Sequence, residues 1–132
     1  MNIGEVAERT GLSAKMIRHY EKQGLFNPQR DAQSGYRVFN ETDVAQLSFI
    51  ASARQLGFSL KQISQLVSLW RDPHRASREV KAVAQQHLLE VEQQLVALQQ
   101  MRRTLHELIA ACPGSDDPHC SILASLQAAD ED

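Results

Sequence analysis

One stretch, residues 73–111, limits what this chain can become. Leu88, Leu95 and Ile109 recur at heptad spacing, with Lys81 and Arg102 as polar members of the same column. Ala84, Val91, Leu98 and Leu105 form the neighbouring column. Two such columns over about four heptads make the seam of a coiled coil. A helix cannot bury that stripe on itself, and nothing else in the 132 residues is long enough to cover it. The pattern therefore predicts a partner helix from a second copy. Asp72-Pro73 is expected to open the helix, since proline is tolerated in a first turn, and Pro113-Gly114 to stop it.

Ahead of this helix the elements are short. Asn2 with Glu5 reads as an N-cap and its capping-box partner, for a helix running through Val6 to about Thr10. Gly11 breaks it, and Ser13 caps a second helix over residues 14–23, with Gly24 beyond its end. Ile3, Val6, Ala7, Leu12, Met16, Ile17 and Tyr20 have the spacing of two helices sharing one core, a helix-turn-helix. In residues 25–39, Pro28, Asp31, Ser34 and Gly35 are turn formers, whereas Tyr36, Val38 and Phe39 favour a strand. That combination predicts a two-stranded wing. Asn40 caps a third helix to residue 55, ended by Gly57, and Ser59 with Gln62 forms a capping box for a fourth, to residue 70. The expected fold is mainly α. Residues 1–70 form a winged helix-turn-helix and 71–111 a long dimerisation helix. Residues 112–132 form a loop, a short helix around Ile122 to Leu126, and an acidic tail, Asp130-Glu131-Asp132.

A net charge of −2 by itself argues against nucleic acid as a partner. Its distribution is more permissive. Residues 1–70 carry eight Lys or Arg against six Asp or Glu, and residues 71–132 six against ten. In the second helix Lys15, Arg18, His19 and Lys22 recur at three- and four-residue steps and so share a face. A basic face on the second helix of a helix-turn-helix suits the major groove of double-stranded DNA, although solvated basic faces are common. Arginine can fork onto a guanine edge, whereas lysine favours phosphate. Tyr36 and Arg37 put an aromatic and a cation on the wing, within reach of the DNA backbone or minor groove. No run approaches the ~20 apolar residues of a membrane span. The first residues lack the basic and apolar regions of a secretory leader, so a cytoplasmic location is expected. The sequence offers no nucleophile–base arrangement and no glycine-rich phosphate loop, so no enzymatic activity is expected.

Cys112 and Cys120 bracket a seven-residue loop. Three readings stay open: a disulfide, which a reducing cytosol disfavours; two buried thiols; or a metal site. If a metal binds, two thiolates fall short of the four ligands zinc takes and match a soft ion such as Cu(I). His119 is a neighbouring potential ligand that is expected to face solvent, as are His74, His87 and His106. Ser77 lies five heptads before Cys112, about 52 Å away on one helix. In an antiparallel pair, Ser77 of one subunit would abut the cysteine loop of its partner.

The strings Ile3-Gly4-Glu5-Val6-Ala7, Gly11-Leu12-Ser13, Ile17-Arg18-His19-Tyr20-Glu21, Gly24-Leu25, Gly35-Tyr36-Arg37-Val38-Phe39 and Arg54-Gln55-Leu56-Gly57-Phe58-Ser59-Leu60 resemble the N-terminal domain of the MerR family. The resemblance implies a winged helix-turn-helix that binds promoter DNA as a homodimer and acts with RNA polymerase. It places Arg18, Tyr20, Tyr36 and Arg37 at or near the DNA backbone and Lys15 near base edges. The segment from Cys112-Pro113-Gly114 to Cys120 is similar to the family's copper(I)-responsive CueR branch, without the Cys-Cys-His-His tail of some members. Divalent-metal sensors in the family carry a cysteine where Ser77 stands, whereas the copper branch carries serine. The resemblance thus implies an activator whose effector Cu(I) binds Cys112 and Cys120 and leads to promoter distortion at copper-export or detoxification genes. Ag(I), Au(I) or a redox signal would use the same thiols. A copper chaperone or storage protein would need no DNA-binding half.

Overall fold

The structure, a computed structural model, describes residues 1–129. The acidic tail expected at 130–132 lies outside the described residues. Capping side chains set the N-terminal elements. The Asn2 side chain accepts the Glu5 N–H at 2.9 Å and opens α1 (Ile3–Thr10). The reciprocal half of the expected capping box does not form; the Asn2 amide instead donates to the Glu5 carboxylate at 3.3 Å. Gly11 turns the chain at φ +76°, a conformation that Cβ-bearing residues rarely adopt. The Ser13 side chain then accepts the Met16 N–H at 3.1 Å to start α2 (Ala14–Lys22).

The wing pairs β1 (Gln29–Arg30) antiparallel with β2 (Arg37–Val38), Gln29 opposite Val38 and Arg30 opposite Arg37. The Asp31 carboxylate closes its loop by accepting the Gln33 N–H at 2.8 Å and the Ser34 N–H at 3.0 Å. Tyr36 and Phe39 fall outside the two-residue strand in which they were expected, Tyr36 exposed and Phe39 buried. The Phe39 ring lies 6.1 Å from that of Phe26. α3 (Glu41–Gln55) opens with a reciprocal Asn40–Asp43 capping box, and α4 (Leu60–Arg71) with the expected Ser59–Gln62 box.

Val6, Ile17, Leu47 and Ile50 are fully buried at the centre, joined by Tyr20, Phe26, Phe39, Ile63 and Val67. Among them sits Gln46, whose amide donates to the Leu25 carbonyl and whose oxygen accepts Arg71 Nη2 at 2.8 Å. A buried polar group is tolerated when its hydrogen bonds are made; here they tie α3 to α4 and to the segment leaving α2.

Asp72-Pro73 does not open the long helix. Asp72 caps the end of α4, its N–H reaching the Leu69 carbonyl at 3.2 Å and its carboxylate accepting the His74 N–H at 2.8 Å. Arg75 donates to the Trp70 and Asp72 carbonyls at 3.3 and 3.1 Å. These bonds occupy the turn's polar groups, and the helix begins only at Ser77, as α5 (Ser77–Ala111), 35 residues long.

The chain forms two compact units, Met1–Gln85 and Gln86–Asp132. In the first, Val80 and Val83 pack against the core just described. In the second, the rest of α5 leads through a loop to α6 (Ser121–Ala129). No residue of α5 is buried. Both heptad columns are open in the single chain, with Leu98 60% and Ile109 64% exposed, and Leu89, Val96 and Met101 add further exposed apolar surface. Among the described residues, no helix is long and apolar enough to cross a membrane.

Candidate DNA interface and thiolate pair

α2 presents Lys15, Arg18, His19 and Lys22 at exposed positions, as their spacing predicts. Tyr20 differs from them. It is only 3% exposed and belongs to the core with Ile17 one turn before it. A residue three positions from a core isoleucine lies on the same face of the helix. Its ring centroid stands 5.9 Å from that of His19, which thereby rests on a fixed neighbour. Tyr36, 78% exposed, projects from the wing.

Arg37 is half-buried, its Nε donating to the Glu21 carboxylate near the end of α2. Arg30 on the facing strand reaches the same carboxylate through Nη2 at 3.2 Å and the Gly35 carbonyl through Nη1 at 3.1 Å. Neither Glu21 nor Arg30 stands out in the sequence as a functional residue. The pairing register that places Arg30 opposite Arg37 is a tertiary fact; the only sequence signal is a lone acid in a basic helix. Elsewhere in the unit Arg9 forks onto Glu41 at 2.8 and 3.0 Å, joining α1 to the start of α3. Each partner holds the other charged: the guanidinium is pushed up and the carboxyl down from their ordinary ranges, chiefly by that side-chain hydrogen bond.

In the second unit, Cys112 directly follows α5, its N–H directed at the Leu108 and Ile109 carbonyls at 3.2 and 3.3 Å. Gly114 turns the loop at φ +63°. Ser115 Oγ accepts the Asp117 N–H at 3.3 Å, and the Asp117 carboxylate accepts the His119 N–H at 2.9 Å. The loop returns Cys120 to the start of α6, where its carbonyl accepts the Ala124 N–H at 3.1 Å. The two sulfurs come within 3.9 Å. That is about twice the ~2.05 Å disulfide bond, and both thiols are free and half-buried. The Cys120 thiol is pulled below its ordinary range, first by the Leu123 N–H and then by those of Ile122 and the Cys112 thiol, against an opposing effect of burial. Helix N-terminal amides stabilise a thiolate in this way.

Among the described residues, no group of three or more His, Cys, Asp or Glu side chains is placed to hold a metal ion. His119, His74 and His106 are exposed, as expected. His87 is not: its side chain is only 12% exposed and lies 3.7 Å from the Glu90 carboxylate one turn on. Ser77 is exposed at the first residue of α5.

A family model described as "MerR HTH family regulatory protein" matches residues 1–69, and one described as "MerR, DNA binding" matches residues 44–108. The chain is 48% identical to the heavy metal-dependent transcription regulator 2 of Rhizobium meliloti over 126 residues, 96% of this chain and 86% of that one. It is 41% identical to the transcriptional regulator CueR of Escherichia coli, over 96% of this chain and 93% of the relative. Among solved structures it is similar to the transcription regulator PbrR691 from Ralstonia metallidurans in complex with lead(II), with a TM-score of 0.82 and 28% identity, over 96% of this chain and 98% of the other. With two family models across its front and middle and near-complete relatives of this identity, the chain belongs to the MerR family of helix-turn-helix regulatory proteins.

Proposed function

We propose that this chain is a cytoplasmic, homodimeric transcription activator that senses Cu(I) through Cys112 and Cys120. In this reading residues 1–70 grip promoter DNA, 71–111 pair antiparallel with a second copy, and 112–132 hold the metal and relay its presence. The observation that carries it is the approach of two free sulfurs to 3.9 Å at the ends of one loop, with no third ligand clustered there among the described residues. At that separation both sulfurs are near enough for Cys112 and Cys120 to hold a single ion between them. A paired thiolate set suits a soft, singly charged ion. A bound ion would supply a cross-link between the end of α5 and the start of α6. Cys120 is prepared for it, because the α6 amides already favour the thiolate.

The chain's own residues do the rest. Lys15, Arg18, His19 and Lys22 enter the major groove, and Tyr36 and Arg37 hold the adjacent backbone. Leu88, Leu95, Ile109 and the Ala84 column bury their stripe on the partner, which brings Ser77 of one subunit beside the cysteine loop of the other. A serine there adds no third thiolate, which favours a monovalent over a divalent ion. Cys112 and Cys120, once joined, order the loop so that Ile122 to Leu126 repack. The two DNA-binding units then shift and distort the promoter for RNA polymerase at copper-export or detoxification genes. Such switching requires the ion to be held more tightly in one arrangement of the dimer than in the other, and DNA deformation can carry the signal.

The test is anaerobic titration of the reduced dimer with Cu(I), with transcription from its promoter as readout. Saturation at one Cu(I) per cysteine pair, lost with Cys112→Ser together with activation, is the expected result. Activation that survives Cys112→Ser refutes the site. Ag(I) and Au(I) have the same bonding preference, and the same titration ranks them against Cu(I). An activator triggered by oxidation of the thiols would show no response in the reduced, oxygen-free protein.

A further inference from the structure

Arg30 and Arg37 stand directly opposite each other on strands of two residues each. Like charges in that position repel, and so short a hairpin has little stability of its own. Opposite residues of an antiparallel pair also project from the same face. Both side chains converge on Glu21, which is 16% exposed and lies near the end of α2. Arg30 in addition clamps the Gly35 carbonyl inside the wing loop. A half-buried carboxylate flanked by two cations offsets their repulsion and joins the wing to the helix that carries Lys15, Arg18 and Lys22. Each guanidinium has five N–H donors, more than Glu21 and Gly35 take up, so both can still meet phosphate.

We propose that Glu21 is a positioning residue for DNA binding. It locks Arg30 and Arg37 to the end of α2 as a paired phosphate clamp, with Arg30 gripping the backbone alongside Arg37. The inference rests on the DNA-binding reading of α2 and is independent of the metal. Its signature is a reversal of sign. A carboxylate that merely sat near DNA would repel phosphate, and removing it would tighten binding. A carboxylate that aims two arginines weakens binding when removed, although the protein has become more positive.

The experiment uses the full-length, reduced, metal-free dimer and a 30-bp duplex that the unaltered protein selects from a randomised pool. Glu21→Gln is expected to weaken binding about five- to tenfold and to flatten the salt dependence, by up to ~0.9 in the log–log slope for each phosphate that an arginine no longer neutralises. Without DNA, amide exchange is expected to quicken at Asp31 and across β1 and β2, and to stay unchanged at Val6, Leu47 and Ile50. Equal or tighter binding by Glu21→Gln overturns the proposal, as does unchanged exchange in the wing. A second comparison does not depend on how well the single variant folds. In an Arg30→Gln/Arg37→Gln background, adding Glu21→Gln is expected to change affinity less than twofold, whereas a severalfold gain there marks Glu21 as a plain repulsive charge and overturns the proposal. Unchanged wing exchange in a protein that still binds its duplex ends this inference alone; an unaltered dimer that selects no duplex ends the DNA-binding reading with it.

Discussion

Replacing Gln46 with methionine tests whether the buried amide organises the N-terminal unit. Methionine has nearly the same length and volume, so little cavity opens, and the change isolates the hydrogen bonds. Gln46 is 1% exposed and serves the Leu25 carbonyl and Arg71 Nη2. Leu25 is itself buried, so its carbonyl loses a donor that water cannot readily replace; such a group costs about 1–3 kcal/mol. Arg71 is exposed and recovers most of its bond from solvent. Burying a thioether instead of an amide returns part of the loss. The net expectation is a destabilisation of about 2 kcal/mol. For a chain of this size that lowers Tm by about 6–8 °C. The assay is urea and thermal unfolding at one fixed protein concentration, because association makes the midpoint concentration-dependent. Arg71→Ala, which leaves the buried Gln46 oxygen without its donor, is expected to cost about 1–3 kcal/mol by the same reasoning. A Gln46→Met variant within about 0.5 kcal/mol of the unaltered protein refutes the reasoning.

Three further outcomes are expected. Asp31 has its carboxyl held below the ordinary range, chiefly by the Ser34 and Gln33 N–H groups, so its contribution to the wing is complete above the unfolded carboxylate value of ~3.9 and is lost as pH falls through the lower folded value. Amide exchange at Gln33 and Ser34 should therefore quicken, relative to the intrinsic rate, only in that acid window; a loosening already complete by pH 6 contradicts it. Ser77→Cys is expected to extend the response toward divalent ions such as Zn(II) or Pb(II), and a metal profile identical to that of the unaltered protein removes the selectivity argument. Leu98→Asp puts a charge into the open apolar face of α5 and should shift the sedimenting species from dimer to monomer; a dimer of undiminished affinity shows that this column is not the seam.

Much of the chain could be read from local chemistry. Ser13, Asn40 and Ser59 cap their helices because a side-chain oxygen satisfies an N–H that the helix cannot. Gly11 is legible for a similar reason, since few other residues accept its turn. The heptad columns of α5 and the two cysteines flanking a short loop are likewise linear patterns. Interactions over three to eight residues are written in the order of residues, and these were.

What tertiary structure decided are choices between local options of similar energy. Asp72-Pro73 can open a helix or close one, and the bonds of Arg75 and His74 settle it as a turn. Tyr20 carries a polar group suited to DNA, yet its position beside Ile17 puts it in the core. Val80 and Val83 each precede the first member of a heptad column, Lys81 and Ala84, but pack on the N-terminal core. Glu21 acquires a role only because folding sets Arg30 against Arg37. The 3.9 Å approach of the sulfurs depends on how the loop closes, which their spacing permits but does not impose. Sequence by itself determined the periodicities and the caps, because those depend on neighbours along the chain; which face is buried, and which charges meet, depends on neighbours in space.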